Sequence, residues 1–257
     1  WKDRHPEIKN TYLLFHTSFS EGWNIKSQAD QYEVDTKEIL TTYICPVCNN
    51  YEVKSFDDRD SRFEKNENGS LKLTKDGERI ETPLSAEGKD CKYCGAKNSQ
   101  RTTSVGLGVT ENQLNEVYNL MDVYVHPFTS GGQEIPIQEA KLTELITLVT
   151  NYSCGEECCE KEAHSLPLKW EKYIEHGTEF IKASTKPDSI ADQLDIFMKM
   201  TPSEKKKNGK LAREWVIKHF SIKNVGKNIE KFIDNSPFVD QDEESNFSQK
   251  NNHNHNP

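Results

Sequence analysis

The chain has 257 residues, enough for one large domain or two small ones, with 33% hydrophobic and 29% charged residues and a formal net charge of -9 at pH 7. That acidic balance disfavours nucleic acid as a partner, because a surface that tracks phosphates relies on Lys and Arg to release counterions. No apolar run of about 18 residues occurs and the first residues lack a signal core, so the expectation is a cytoplasmic protein without a transmembrane segment.

Position 1 is Trp rather than Met, which reads as a start inside a longer reading frame or after processing. Residues 11–19 (TYLLFHTSF) are a short run rich in strand formers, residues 24–34 fit a helix, and 39–44 (ILTTYI) fit a second strand. This alternation is the opening of a parallel α/β sheet. Between 45 and 101 the composition turns to Lys, Asp, Glu, Asn and Gly, a segment too polar to form a core of its own. The α/β rhythm resumes with Leu114, Val117, Tyr118 and Met121 on one helical face within 112–121. The buried strand VYVHPF then closes at Pro127, and a Gly-rich turn (TSGGQE) leads into a helix opening near Pro136 and reaching Leu145. A further buried strand follows at 146–150. Residues 166–185 alternate and turn at His176 and Gly177 as a hairpin or two short strands would. One helix starts at Pro187, and another opens on the capping sequence Thr201-Pro202-Ser203-Glu204 and turns Leu211, Trp215 and Phe220 inward. Residues 236–257 are polar, repetitive and read as a disordered tail, whose two His could also catch stray metal.

Seven cysteines is an odd count, and four of them form two C-x-x-C knuckles, Cys45/Cys48 and Cys91/Cys94. Two such pairs complete a tetrahedral shell of four sulfurs at ~2.3 Å from one zinc ion. Metal would supply the stability that the polar segment cannot gain by burial, since structural zinc contributes ~10 kcal/mol or more in small domains. The intervening 42 residues exceed the shortest ribbons, so hairpin excursions must fill the space. A redox dithiol or unliganded thiols are the competing readings; a closed four-sulfur site has no open position and carries no catalytic role. Cys154, Cys158 and Cys159 read as free thiols in a loop, or as a second metal site with His164.

The loop after VYVHPF stands where an open parallel sheet binds ligands, beyond the carboxyl end of a strand and before a helix N-terminus. Gly131 and Gly132 permit close backbone approach, and Pro136 suits the first helical turn and leaves amides aimed outward, fit for a diphosphate. Glu139, one turn further in, is suited to accept hydrogen bonds from a ribose diol. The plainer alternative is a well-capped buried helix with Glu134 and Glu139 as solvated acids.

From Gly108 to Thr150 the chain resembles the donor-binding domain of retaining glycosyltransferases of family 4, which belong to the two-domain GT-B superfamily. The matching features are Asp122, Pro127, Gly131 and Gly132, Pro136, and Glu139 with Ala140. More weakly the likeness runs back to residue 11 and forward to about 235, where KLAREWVIKHFS is similar to the family's closing helices. It implies a Rossmann-like parallel sheet, the C-terminal half of a GT-B fold, over 1–44 and 102–235, with a zinc ribbon inserted at 45–101. It also implies transfer of a hexose from a nucleotide diphosphate sugar to an unknown acceptor, without a catalytic metal. The donor site it implies comprises Gly131, Gly132, Gln133, Glu134, Ile135, Pro136 and Glu139, with Glu139 on the ribose. The family usually carries two glutamates separated by seven residues; the first falls here at Gly131, with Glu134 a shifted substitute. The family's diphosphate-binding Arg and Lys have no match, and an N-terminal acceptor domain would have to precede this chain for activity.

A noncatalytic alternative makes the ribbon a binding surface and the α/β part its scaffold. Nucleic-acid binding by the ribbon would have to use Lys54, Arg59, Arg62, Lys65, Lys72, Lys75 and Arg79, which stand among many acids in a mixed-charge surface.

Overall fold

The computed structural model describes residues 1–17, 24–56, 66–67, 70–78, 80 and 90–236. The expected tail at 237–257, Arg59, Arg62, Lys65 and Arg79, and the last two residues of the 11–19 run lie outside the described residues.

The architecture is mixed α/β. Strands β5 (Val123–His126), β6 (Ile146–Thr150) and β7 (Leu166–Leu168) form a parallel sheet in that order, with β6 central. Every residue of β6 is buried, as a strand covered on both faces requires. Its alternation assigns the two cores. Ile146 and Leu148 pack with Leu168 and with Ile190, Leu194 and Phe197 of α5 (Pro187–Lys199). Val149 faces the other way, toward Ile137 of α3 (Ile135–Leu142), Cys158 of α4 (Cys154–Cys158), and Trp215 and Val216 of α6 (Pro202–Phe220). The sheet is thus a central layer between helices. A last helix, α7 (Ile222–Asn235), buries none of its residues.

The first part of the chain departs from the single parallel sheet expected of a Rossmann-like fold. Strand β1 is short (Leu13–Phe15) and α1 covers Ile25–Gln31, three residues less than expected at its end. Strand β2 (Ile39–Ile44) pairs parallel with β1 as anticipated, but it also pairs antiparallel with β3 (Tyr51–Ser55) and β4 (Arg101–Thr102). This sheet is mixed and, among the described strands, separate from β5-β6-β7. The reason lies in the polar segment: β2 runs directly into the first cysteine knuckle, so its far end is claimed by ribbon strands instead of a further parallel strand.

Two expected elements need correction. Only β8 (Trp170–Ile174) and β9 (Ile181–Thr185) form the antiparallel hairpin; Leu166–Leu168 belongs to the parallel sheet. The turn spans residues 175–180, with Gly177 and Glu179 both at positive φ. Helix α3 stops at Leu142, because Glu144 turns left-handed (φ 64°) so that Leu145 can enter the core ahead of β6. The helical face over 112–121 behaves as read. In α2 (Glu111–Asn119) Val117 and Tyr118 are buried, and Leu114 and Met121 pack with Tyr118, Ala140 and Leu145. The capping box at Thr201 and Glu204 forms too.

Two close contacts lock α3 and α6 together. Gly209 passes so near the turn after α3 that a Cβ there would overlap the Glu144 carbonyl. Lys141 is wholly buried; its Nζ donates to the carbonyls of Cys158 (3.1 Å) and Ala163 (2.6 Å) and lies 4.6 Å from the Trp215 ring centre. The N-terminus adds a clasp that sequence reasoning missed. The Trp1 indole and His5 both reach Asp195 of α5 at 2.7 Å, and Arg4 meets Asp188 and Asp192 at 2.8 Å each.

Gly209→Ala is expected to cost about 1–3 kcal/mol, read from urea unfolding midpoints. Burial lowers the pKa of Lys141 to about 8, against an opposing pull from Cys158 and Cys159. The unfolded chain keeps that proton up to the ordinary lysine value of 10.5. Between about pH 8 and 10.5 the unfolded state therefore binds more protons, so stability rises with pH across that window and this group adds no slope below it. In Lys141→Met, unfolding free energies measured over the same pH series should lose that rise.

Candidate functional site

Two constellations stand out, and the sequence pointed to both. At the first, the four sulfurs of Cys45, Cys48, Cys91 and Cys94 lie within 4.8 Å of one another. Cys45 and Cys94 are 3.8 Å apart, and Cys48 and Cys91 are 3.7 Å apart. Sulfurs ~2.3 Å from a central zinc at tetrahedral corners would be ~3.8 Å apart, so the donor set fits the ion in both chemistry and spacing. All four thiols are free, and no disulfide joins them.

The two knuckles are built alike. The Cys45 amide donates to Asn50 O and the Cys91 amide to Ala96 O, while Asn49 and Gly95 donate back to the carbonyls of Cys45 and Cys91. Both returning residues are left-handed, Asn49 at φ 56° and Gly95 at φ 73°. Asn tolerates that region better than most residues, so Asn49 is the counterpart of Gly95, a correspondence the sequence reading overlooked.

The electrostatics also call for a cation. Burial acts to raise the Cys45 thiol, but Ser99 and the backbone amides of Cys48 and Val47 outweigh it and bring it down to about 6. At Cys94 the Ala96 amide pulls downward, yet burial and the other three sulfurs push the thiol up to about 12. Four thiolates cannot all form at these distances unless positive charge is placed among them. Among the described residues this is the one group of three or more potential ligands that converges. Cys154, Cys158 and Cys159 do not: they lie on and beside the short helix α4, not in a loop, and pack against Phe128 and Trp215. Burial pushes the Cys159 thiol up to about 12, as in an inert core cysteine.

The second constellation surrounds the start of α3. Strand β5 delivers Tyr124 and His126 to its carboxyl end, and the loop 127–134 leads into the helix. That loop is pinned: the Ala183 amide donates to Thr129 O (2.9 Å) and Ser153 Oγ to Gly131 O (2.8 Å). A concavity of about 470 Å³ borders it, lined by Pro127, Phe128, Thr129, Tyr173, Ser184 and Thr185. Glu134 is the N-cap residue of α3, but its side chain makes no capping hydrogen bond. Its carboxylate instead fills the space that a side chain at Gly131 would enter, and its Oε2 stands 3.1 Å from His126 Nε2. The Tyr124 hydroxyl lies 3.1 Å from His126 Nδ1. The tautomer that donates from Nε2 to Glu134 accepts at Nδ1 from the Tyr124 hydroxyl.

Glu139 is half-buried, and its Oε2 accepts from the Tyr118 hydroxyl at 2.9 Å. Burial first, then Tyr124 and Glu139, hold Tyr118 far above the ordinary tyrosine range, so it stays a donor. Burial likewise pushes Tyr124 up to about 12. His16, just past the end of β1, bonds Thr42 Oγ1 at 2.9 Å; burial lowers its pKa and the charge of Glu139 acts against that. The carboxyl ends of β1 and β5 thus contribute to one polar region, and Ile135, Gly132 and Gln133 stand exposed at its rim with Gly131 and Pro136 half-exposed. Tyr118, Tyr124, His126 and His16 were absent from the sequence-derived set. A His or Tyr within an apolar strand, as in VYVHPF, was the signal available.

Compared with family models, with curated proteins and with solved structures, the chain shows no match.

One zinc per chain is expected by elemental analysis. Strong chelation, or Cys48→Ala, should expose residues 45–101 to proteolysis and lower the melting temperature, with zinc restoring the wild-type chain but not the variant.

Proposed function

We propose that this chain binds a nucleotide diphosphate sugar and forms the donor side of a retaining hexosyl transfer, with the zinc structural and no catalytic metal. The observation that carries the reading is the uncapped start of α3 with Glu139 one turn behind it, at the carboxyl end of β5. Backbone amides at a helix start stabilise a diphosphate, and do so most as negative charge grows on the leaving group while the glycosidic bond breaks.

Each residue takes a role that its surroundings support. Tyr118 fixes Glu139 through Oε2, and among the described residues Oε1 has no hydrogen-bond donor, so it is free to accept from a ribose hydroxyl. Gly132, with open space where a Cβ would stand, allows a ligand to approach the backbone, and residues 133–136 line its path. Glu134, standing over Gly131 in the space of a residue-131 side chain, accepts from hydroxyls of the donor sugar. That is the role which the resemblance gives to a glutamate at 131. The acceptor would approach from the opposite side, on a separate domain.

Thermal shift with uridine, guanosine and adenosine diphosphate sugars tests the proposal. Ligand at 100 times its Kd stabilises by ~2.7 kcal/mol, which moves the midpoint of a domain this size by several degrees. Glu139→Gln should weaken binding about 10-fold to 100-fold, the worth of a hydrogen bond to a charged group. Absence of any shift with all three donor classes would defeat the reading, leaving the α/β part as a scaffold.

A further inference from the structure

Helix α2 stands between the two constellations, and its side chains are tied to both. On one face Gln113 and Glu116 reach the first knuckle and the strand that follows it. On the other, Tyr118 holds Glu139. The Gln113 amide does two things at once. Its Oε1 accepts from the Thr110 amide at 2.9 Å, completing the capping box that opens the helix, and its Nε2 donates to the Asn49 carbonyl at 2.8 Å. Asn49 is the left-handed residue next to Cys48, so the cap of α2 ends on the turn that presents a sulfur.

Hydrogen bonds, not packed apolar surface, make this join. A concavity of about 520 Å³ opens between β3 and α2, lined by Tyr51, Tyr93, Gln113, Glu116 and Leu120 among others. Beside it the Tyr51 hydroxyl donates to Glu116 at 2.6 Å. Such contacts are only as firm as the segment that supplies them. Among the described residues from 45 to 101, the buried apolar side chains are Cys45, Cys91 and Phe56. A segment with so little core orders around its metal and comes apart without it.

We infer that zinc occupancy of the four-cysteine cluster controls how firmly α2 holds Glu139, with Gln113 and Tyr51 as the positioning residues that carry the coupling. Coupling between sites needs an element with two states, and the ribbon segment, ordered with metal and unfolded without it, is that element. Leu114, Tyr118 and Met121 pack with Ala140 and Leu145, so losing the ribbon contacts loosens α2 on the core without detaching it. The consequence that donor affinity tracks zinc rests on the reading of Glu139 as the ribose acceptor; the coupling itself concerns the chain alone.

Amide hydrogen exchange across α2 in the full chain, with zinc and after chelation, tests the coupling with no ligand present. Chelation should speed exchange over residues 113–121 by about tenfold, and zinc added back should reverse it. Two substitutions separate the join from the metal. Gln113→Glu keeps a capping-box residue but replaces the donor to Asn49 with a carboxylate, and Tyr51→Phe removes the bond to Glu116. Both variants should retain one zinc by elemental analysis and still exchange faster in α2, by about threefold or more. Exchange in α5, packed on the opposite face of the sheet from α3, should stay as in the wild type. The inference is overturned if α2 exchanges alike with and without zinc, or if both zinc-loaded variants exchange as the wild type does. A nucleotide diphosphate sugar that shifts the melting temperature adds a second readout. By linkage it should raise zinc affinity, measured by competition with a chelator, by the same factor as zinc raises its own. A bound donor that leaves zinc affinity unchanged overturns the inference. If α2 responds to zinc while uridine, guanosine and adenosine diphosphate sugars all fail to bind, the coupling stands and the donor reading falls.

Discussion

Strands β2, β3 and β4 meet at a cluster of four sulfurs that could not all ionise without a cation among them. Strand β2 ends at Ile44, and Cys45 follows at once. Ile44 pairs with Tyr51 on one side and Arg101 on the other, the residues that open β3 and β4 after the two knuckles. The sulfur cluster and the pairing of these three strands thus meet at one end of β2. Contacts from there reach further along the chain. Asn49 O, inside the first knuckle, accepts from Gln113 at 2.8 Å, and the Tyr51 hydroxyl donates to Glu116 at 2.6 Å. Both partners lie on α2, and the same helix holds Tyr118 against Glu139. The first knuckle and β3 thus brace the helix that holds Glu139, joined to it through side chains at each step.

Most of the second half was legible because its elements depend on short-range rules. Strands at 123–126 and 146–150 follow from largely apolar runs between turn residues, although only the second is fully buried and the first, expected to be buried, is half-exposed along its length; the Thr201 cap follows from its side-chain chemistry. What sequence could not give was pairing. Leu166–Leu168 and Trp170–Ile174 look alike as alternating segments, yet one joins the parallel sheet beside β6 and the other turns into a hairpin. The choice is made by Leu168 filling the space beside Leu148 and Phe197, a long-range contact with no local signature. For the same reason β2 was read as a member of one large parallel sheet. The four-cysteine cluster was legible from spacing alone, whereas the polar network around Glu139 was not, because Tyr118, His126 and His16 come from three separate elements.

Charge on the surface is answered unevenly. The acidic side of α5 meets a basic and aromatic counterpart within the chain: Arg4 lies between Asp188 and Asp192, and the hydrogen bond from His5, aided by Trp1, holds Asp195 below the usual carboxylate range. The basic side of α6 and α7 is paired more sparsely, by contacts such as Lys210 to Glu214 at 4.0 Å, the outer limit of an ion pair. A helix held against its own domain hides its apolar side chains, as α5 does with Ile190, Leu194 and Phe197. Helix α7 turns them outward. The contrast between these two helices, built from similar proportions of apolar residues, shows that the exposure belongs to placement and not to composition.

A carboxylate at the start of a helix competes with any phosphate for the same amides, so Glu134 is the residue on which the α3 site turns. Its contact with His126 changes the balance. Drawn back by that ring, the carboxylate leaves the cap position empty and stands over Gly131. Any larger residue at 131 would require the Glu134 side chain to move, and the freed carboxylate would then face the helix start. Tyr124 supports the arrangement from behind by occupying the second ring nitrogen of His126. Strand β5 thus places Tyr124 and His126 two residues apart on one face, and together they hold the Glu134 carboxylate away from the cap position of α3.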